Sequence, residues 1–284
     1  MAEQDAQQII ETQRQDWSRV APGWEKWDQL LYRNLAFVNH RLVGDARLRE
    51  SVRVLDLGSG TGYPALLAAQ TVGTEGRVTG LDLSDSMLAV ARRKATRLGL
   101  SNVEFQTGDV STLPFKAGSF DAVISRFCLM FLPEVGKAVG EIARVLKPGG
   151  YLAAAVWAQQ EKNPYLGIST GVLKRFLDIP APAPDQPGIF RLAQPGDLFG
   201  IAQRCGLQGM ADDEVSGESE FASAEEYLAS ILELAAPIQG LFTKLSPGQR
   251  AEAEKLIKQE ADRFRRGRSI FLAMTIRIVV ARKP

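Results

Sequence analysis

Between Val54 and Ala69 the chain reads VLDLGSGTGYPALLAA, and no other feature restricts its fold as much. An apolar run ends near a carboxylate, Asp56; glycines follow at 58, 60 and 62; then a second apolar run begins. The first run suits a strand buried on both faces, the second a helix, and the glycines a tight turn between them. A strand, glycine turn and helix in that order is the opening unit of a parallel sheet. Such turns usually cradle phosphate. This one contains neither lysine nor arginine, and Asp56 would repel a phosphate while attracting a cation or a hydrogen-bond donor. A dinucleotide fingerprint, G-x-G-x-x-G or G-x-G-x-x-A, would need glycine or alanine where Tyr63 stands, and the G-x-x-x-x-G-K-S/T of a P-loop is absent.

The rest of the chain repeats the alternation. Strands are predicted over 52–57, 77–83, 102–109, 120–127 and 151–158, with helices over 63–72, 84–100 and from Pro133 to the break at LKPGG. Ser84 is placed to cap its helix, Asp85 to meet the positive end, and Gly99 to stop it. Helices between successive strands imply a parallel sheet covered on both faces, joined by right-handed crossovers. Three stretches stand outside this rhythm. Residues 1–48 carry Trp24, Trp27, Leu31, Leu35, Val38 and Leu42 at helical spacing and are expected to form a lid. Residues 158–195 include the proline-rich IPAPAPDQPG and read as an extended loop after a short helix, an insertion in a core spanning 49–216. Residues 217–267 hold helical patterns expected to cap the carboxyl ends of the strands, and 268–284 form the closing strand.

Composition narrows the function. With 34 basic and 33 acidic residues the net charge is +1, which gives no electrostatic case for a nucleic-acid partner. Apolar stretches are too short for a membrane span, and the polar start MAEQDAQQII is unlike a signal peptide, so a cytoplasmic location is expected. Cys128 and Cys205 lie far apart and His40 is the only histidine, which argues against a metal site and for a reducing compartment. Asp82 ends the second predicted strand, where a carboxylate can accept from both hydroxyls of a ribose. A ligand with a ribose, a cationic end and no phosphate fits both acids; S-adenosylmethionine has these properties.

Taken in order, VLDLGSGTG, GLDLSDSML, GDVSTLPF, FDAVISRFCLMF and ARVLKPGGYL resemble the motifs of class I S-adenosylmethionine-dependent methyltransferases. Within that class they are similar to the ubiquinone and menaquinone C-methyltransferase branch and its small-molecule relatives. The resemblance implies a Rossmann-like, seven-stranded, mostly parallel α/β sheet with an antiparallel last strand, matched here by TIRIVVARK. It also implies that Gly58, Ser59 and Gly60 pass beneath the methionine part of the cofactor, with Asp56 organising its ammonium end. Asp82 would hold the ribose, Leu83 and Met87 would face the adenine, and Asp109 and Val110 would read its edge. Ser125 and Arg126 would meet the methionine end and the substrate mouth; Phe127, Met130 and Trp157 would line the acceptor pocket, with Tyr32 or a carboxylate as a candidate base. The Asn- or Asp-Pro-Pro-aromatic signature of nucleobase methylation is absent where SRFC stands. The acceptor implied is therefore a small molecule that ionises readily, such as a quinol, phenol or enol. A cofactor-binding protein of the same fold with a non-methylating role, and less readily a nicotinamide oxidoreductase, stay open as alternatives.

Overall fold

The computed structural model describes residues 3–179, 183 and 186–284; most of the proline run at 180–185 lies outside them. Its centre is an eight-stranded sheet in the order β3-β2-β1-β4-β5-β8-β6, with β7 paired to β8. The strands are β1 (Arg53–Leu57), β2 (Arg77–Asp82), β3 (Val103–Thr107), β4 (Phe120–Arg126), β5 (Leu146–Trp157), β6 (Gln208–Phe221), β7 (Arg265–Arg266) and β8 (Ser269–Arg282). The first five run parallel, and β8 is antiparallel to β5 and β6, as the closing TIRIVVARK implied. The two-residue β7 is the addition to the expected seven strands.

Local chemistry explains the elements. β1 is buried at every position after Arg53, so helices must cover both faces of the sheet. Helices α3 (Ala65–Val72), α4 (Asp85–Arg97) and α5 (Val135–Val145) are among those that do so. The side chain of Ser84 accepts from the Met87 N–H and caps α4, and Gly99 leaves the helix with φ +66°. On an exposed face of the same helix, Asp85 pairs with Arg92.

Register builds a wall above the sheet. β5 ends at Trp157, opposite Ile276 of β8. The pairing of β8 with β6 continues past that level, from Ser216↔Thr275 to Phe221↔Ile270. β6 thus runs on to Phe221, where the sequence had suggested that helix takes over. This antiparallel ribbon rises beyond the carboxyl ends of the parallel strands.

Helices roof the same edge. At the N-terminus are α1 (Glu3–Lys26) and α2 (Asp28–Asp45); after β6 come α8 (Ala224–Leu234), α9 (Ala236–Phe242) and α10 (Pro247–Asp262). Between them in chain order lie α6 (Pro164–Leu173) and α7 (Asp197–Arg204). Pro237 divides the pattern read as a single helix into α8 and α9, and Pro247 opens α10 behind a capping box made by Ser246 and Gln249. Gly23 lets α1 approach α8 closely, since a Cβ there would fall 2.3 Å from the Glu233 carbonyl oxygen. The Trp24 indole N–H donates to the Leu234 carbonyl at 3.0 Å, and that of Trp27 to Glu233 Oε2 at 3.0 Å. On the other side, α1 and α2 meet α4 through Ser18 and Ser84 (2.9 Å), Glu25 and Arg93 (2.7 Å), and the buried Lys94 with Asp28. Val20, Ala21, Met87 and Ala236 form a small apolar cluster between these helices, separate from the main core.

Candidate active site

The cavity opens where the parallel strands end. Gly58 and Gly60 form its floor beside Asp82, and Leu83, Met87 and Val110 continue that wall. Gly58 has φ +68°, and a Cβ there would fall 2.4 Å from Cys128 Cβ, so only glycine lets the two loops approach this closely. Asp82 ties the floor together: Oδ2 accepts the Gly60 N–H at 2.9 Å and Oδ1 accepts the Ser84 N–H at 2.8 Å. Each oxygen has a second lone pair, which leaves acceptor capacity at the cavity wall. Burial raises the Asp82 pKa, against the lowering effect of those backbone bonds.

Asp56 occupies a different place. It is fully buried behind the loop and does not line the cavity. Oδ2 accepts from Ser59 Oγ at 2.8 Å and from the Ala65 N–H at the start of α3 at 3.1 Å, while Oδ1 has no partner. Burial pushes its pKa up to about 7. Ser59 faces the same way. Ser125 donates to the Leu57 carbonyl at 3.0 Å and so ties β4 to β1. Both oxygens of Asp109 accept from Ser111, one from its N–H at 2.8 Å and one from its hydroxyl at 2.6 Å. These four residues hold the floor from behind, while Gly58, Gly60, Asp82, Leu83, Met87 and Val110 form its surface.

The opposite half is apolar and aromatic. Phe127, just past β4, has φ +57° and stacks on Trp157 with centroids 4.4 Å apart and planes 3° apart. Trp157 leads to Tyr165 at 6.1 Å, and Tyr165 to Phe221 at 6.0 Å. A bulky residue in the left-handed region is a strained arrangement held by its surroundings. Met130 also lines this half. Tyr32 does not: it is 46% exposed and packs on Tyr63 outside the cavity. On α2 the lining stripe is Leu30, Leu31, Asn34 and Leu35, and Tyr32 sits about 100° round the helix from Leu31. His40 is exposed on the same helix.

Several lining residues carried no readable signal. Trp17 comes from α1, Tyr165 from α6, and Ser219 and Met274 face each other on the β6–β8 ribbon, Ser219 Oγ lying 2.9 Å from the Met274 sulfur. Each arrives through long-range packing. Arg126 reaches the cavity from the end of β4 and donates through Nη1 to Asn39 Oδ1 at 2.7 Å. Burial lowers its pKa to about 10, so it stays cationic at neutral pH. Burial also raises the Cys128 thiol and the Tyr165 phenol, which keeps both protonated. Among the described residues no group of three or more His, Cys, Asp or Glu side chains could hold a metal ion, and no helix is long and apolar enough to cross a membrane.

Residues 55–154, from β1 into β5, match the family model described as a methyltransferase domain. The segment that carries the glycine floor, Asp82 and Val110 is therefore the segment the family shares. Over these residues the chain is similar to methyltransferase domains. Over 107 residues this domain is 44% identical to a demethylmenaquinone methyltransferase of Listeria monocytogenes, covering 38% of this chain and 45% of that protein. Over 100 residues it is 41% identical to an arsenite methyltransferase of Halobacterium salinarum, covering 35% of this chain and 26% of that one. The chain thus spans less than half the length of the curated relatives it matches. Among solved structures, the cyclase SpnF shares 25% identity and a TM-score of 0.55 over 87% of this chain and 80% of that one. A methyltransferase-like structure from Bacillus halodurans, 20% identical with a TM-score of 0.58 over 87% of this chain and 98% of that one, shares the fold. The family match thus stops short of the α1–α2 and α8–α10 roof, and the cavity is lined from both.

Proposed function

We propose that this chain is an S-adenosylmethionine-dependent methyltransferase whose acceptor is a small planar molecule such as a quinol, phenol or enol. The observation that carries this reading is the continuity of the cavity, which joins the Gly58–Gly60–Asp82 floor to the Phe127–Trp157–Tyr165 wall. The residues present fit the cofactor. Asp82 keeps free lone pairs at the wall for ribose hydroxyls, Leu83, Met87 and Val110 offer apolar surface to an adenine, and the Gly58 cradle has no room for a side chain. When bound, the cofactor supplies an electrophilic methyl group on a sulfonium. The chain's own residues then hold the acceptor in line and keep water out, which is what the aromatic wall and helical roof are shaped to do.

The titratable groups that face the cavity bear on the acceptor. Asp82 is engaged by two backbone N–H groups, Arg126 is cationic, and Cys128 and Tyr165 are held protonated. Apart from Asp82, whose two oxygens are already engaged, none of these groups offers a free base. An acceptor that ionises by itself, or carries an already nucleophilic atom, needs no such group. The aromatic wall and the Listeria relative's name support a quinol-like body.

A second reading has one observation in its favour. SpnF is a cyclase and aligns over 87% of this chain, and a base-poor aromatic cavity equally suits folding a flexible substrate on itself. Incubating the chain with methyl-labelled S-adenosylmethionine and panels of quinols, phenols and enols, followed by mass spectrometry, separates the two. Label transfer with a mass gain of one methylene supports methyl transfer. A product of unchanged mass that forms only in the presence of the cofactor supports the second reading.

A further inference from the structure

We propose that Arg126, held by Asn39, is an anion seat in this cavity, taking a carboxylate or ionised hydroxyl of a bound small molecule. The inference rests on the small-molecule reading of the site and adds the charge of what is bound. A guanidinium has five N–H donors in a fixed fork. In Arg126 one nitrogen, Nη1, donates to Asn39 Oδ1, and no other hydrogen bond from the guanidinium to a described residue is present. No carboxylate of the described residues lies within ion-pair distance of it, although ion pairs are common elsewhere in the chain.

The acids whose charge reaches Arg126 are already committed. Asp28 pairs with the buried Lys94, and Asp56 serves Ser59 and the start of α3. A half-buried cation without an ionic partner is costly, so a chain that keeps one has a partner to gain. Arg126 itself lines the cavity. Asn39 sharpens the geometry. It is 1% exposed, its oxygen is fixed by the arginine, and its amide nitrogen is buried with no partner. Oriented this way, Asn39 gives the guanidinium a defined direction without neutralising it, which an aspartate would do. Parallel register sets the level: Leu57 pairs with Ser125, so Arg126 stands beside Gly58, between the glycine floor and the Phe127–Trp157 stack.

Two bound molecules could present the anion there, the amino-acid arm of the cofactor or the acceptor. Binding calorimetry on the intact chain distinguishes them, with Arg126→Met and the near-isosteric Asn39→Asp as variants. The second keeps the arginine but gives it an internal partner. The cofactor arm compares S-adenosylhomocysteine with methylthioadenosine, which lacks the carboxylate. The acceptor arm compares 2-naphthoate with 2-naphthamide on protein saturated with S-adenosylhomocysteine. Both variants should lose about ten- to hundredfold in affinity for the carboxylate-bearing member of one pair and leave the counterpart without it unchanged. Loss for S-adenosylhomocysteine assigns the seat to the cofactor, and loss for naphthoate assigns it to the acceptor. Equal effects on the charged and neutral members of both pairs, in variants that melt cooperatively, would overturn the proposal. Failure of the wild-type chain to bind either adenosine compound would instead count against the methyltransferase reading.

Discussion

Replacing Asp82 by asparagine removes a charge while keeping the volume of the side chain, and its consequences divide into two measurable parts. In the unliganded chain, Oδ1 and Oδ2 each accept a backbone N–H, from Ser84 at 2.8 Å and from Gly60 at 2.9 Å. An amide offers one oxygen, so one of those N–H groups faces an NH2 instead. Leaving one buried donor unpaired costs about 1–3 kcal/mol. For a chain this long that corresponds to a drop of about 2–4 °C in Tm per kcal/mol. The second part appears only with ligand. The charge-assisted bonds that Asp82 would make to ribose hydroxyls weaken by about 1.5–3 kcal/mol, or roughly ten- to hundredfold in Kd. Saturating ligand stabilises the folded state by an amount that grows with ligand over Kd, so the ligand-induced rise in Tm shrinks accordingly. The assay is a pair of melts, with and without S-adenosylhomocysteine, backed by calorimetry. Adenosine should lose as much as S-adenosylhomocysteine, because both carry the ribose. A variant with a lower Tm but undiminished affinity for both would show that Asp82 only ties the loop, and the ribose assignment would be wrong.

Other substitutions probe the frame. Asp56 has its pKa raised to about 7 by burial, above the ordinary 3.8, so the folded state holds its proton longer than the unfolded state does. Its contribution to stability is therefore greatest below about pH 4, falls as pH rises to about 7, and is level above that. Asp56→Asn should remove that fall, so the variant gains on wild type from pH 5 to pH 8 in denaturant titrations; a parallel pair of curves would contradict the burial argument. Gly58→Ala forces a side chain at φ +68° into Cys128 and should destabilise by about 2–4 kcal/mol, read as a lower denaturation midpoint at unchanged slope. Trp24→Phe keeps an aromatic ring but deletes the N–H that meets the Leu234 carbonyl at 3.0 Å. It should cost about 1 kcal/mol and speed amide exchange in α1 relative to the β1 strand.

The floor of the site was legible because it is local. Gly58, Gly60, Asp82 and Val110 lie at or just past the ends of parallel strands, and a parallel sheet delivers all such positions to one edge. Arg126, Phe127 and Trp157 were readable for the same reason. Which way a side chain turns at that edge was not legible. Asp56 and Asp82 both stand near the carboxyl end of an apolar strand, yet one turns back to serve Ser59 and α3 while the other faces the cavity. The roof was legible as helices but not as contacts. Trp24 lines the cavity and Trp27 instead binds Glu233, although both sit on one periodic stripe, because the helix breaks between α1 and α2 at Trp27. Tyr165, Ser219 and Met274 come from a helix and a ribbon far apart in sequence. Their meeting depends on the β6–β8 register running past Trp157, which no local pattern encodes.

A cavity floored by the glycine turn and Asp82 should accept an adenosyl amino acid and reject a dinucleotide. This is tested most directly by titrating S-adenosylmethionine, S-adenosylhomocysteine and NAD into the purified chain in a calorimeter. The expected result is saturable one-to-one binding of the first two and no saturable heat from NAD. Saturable binding of NAD, or silence from both adenosyl compounds, would contradict it.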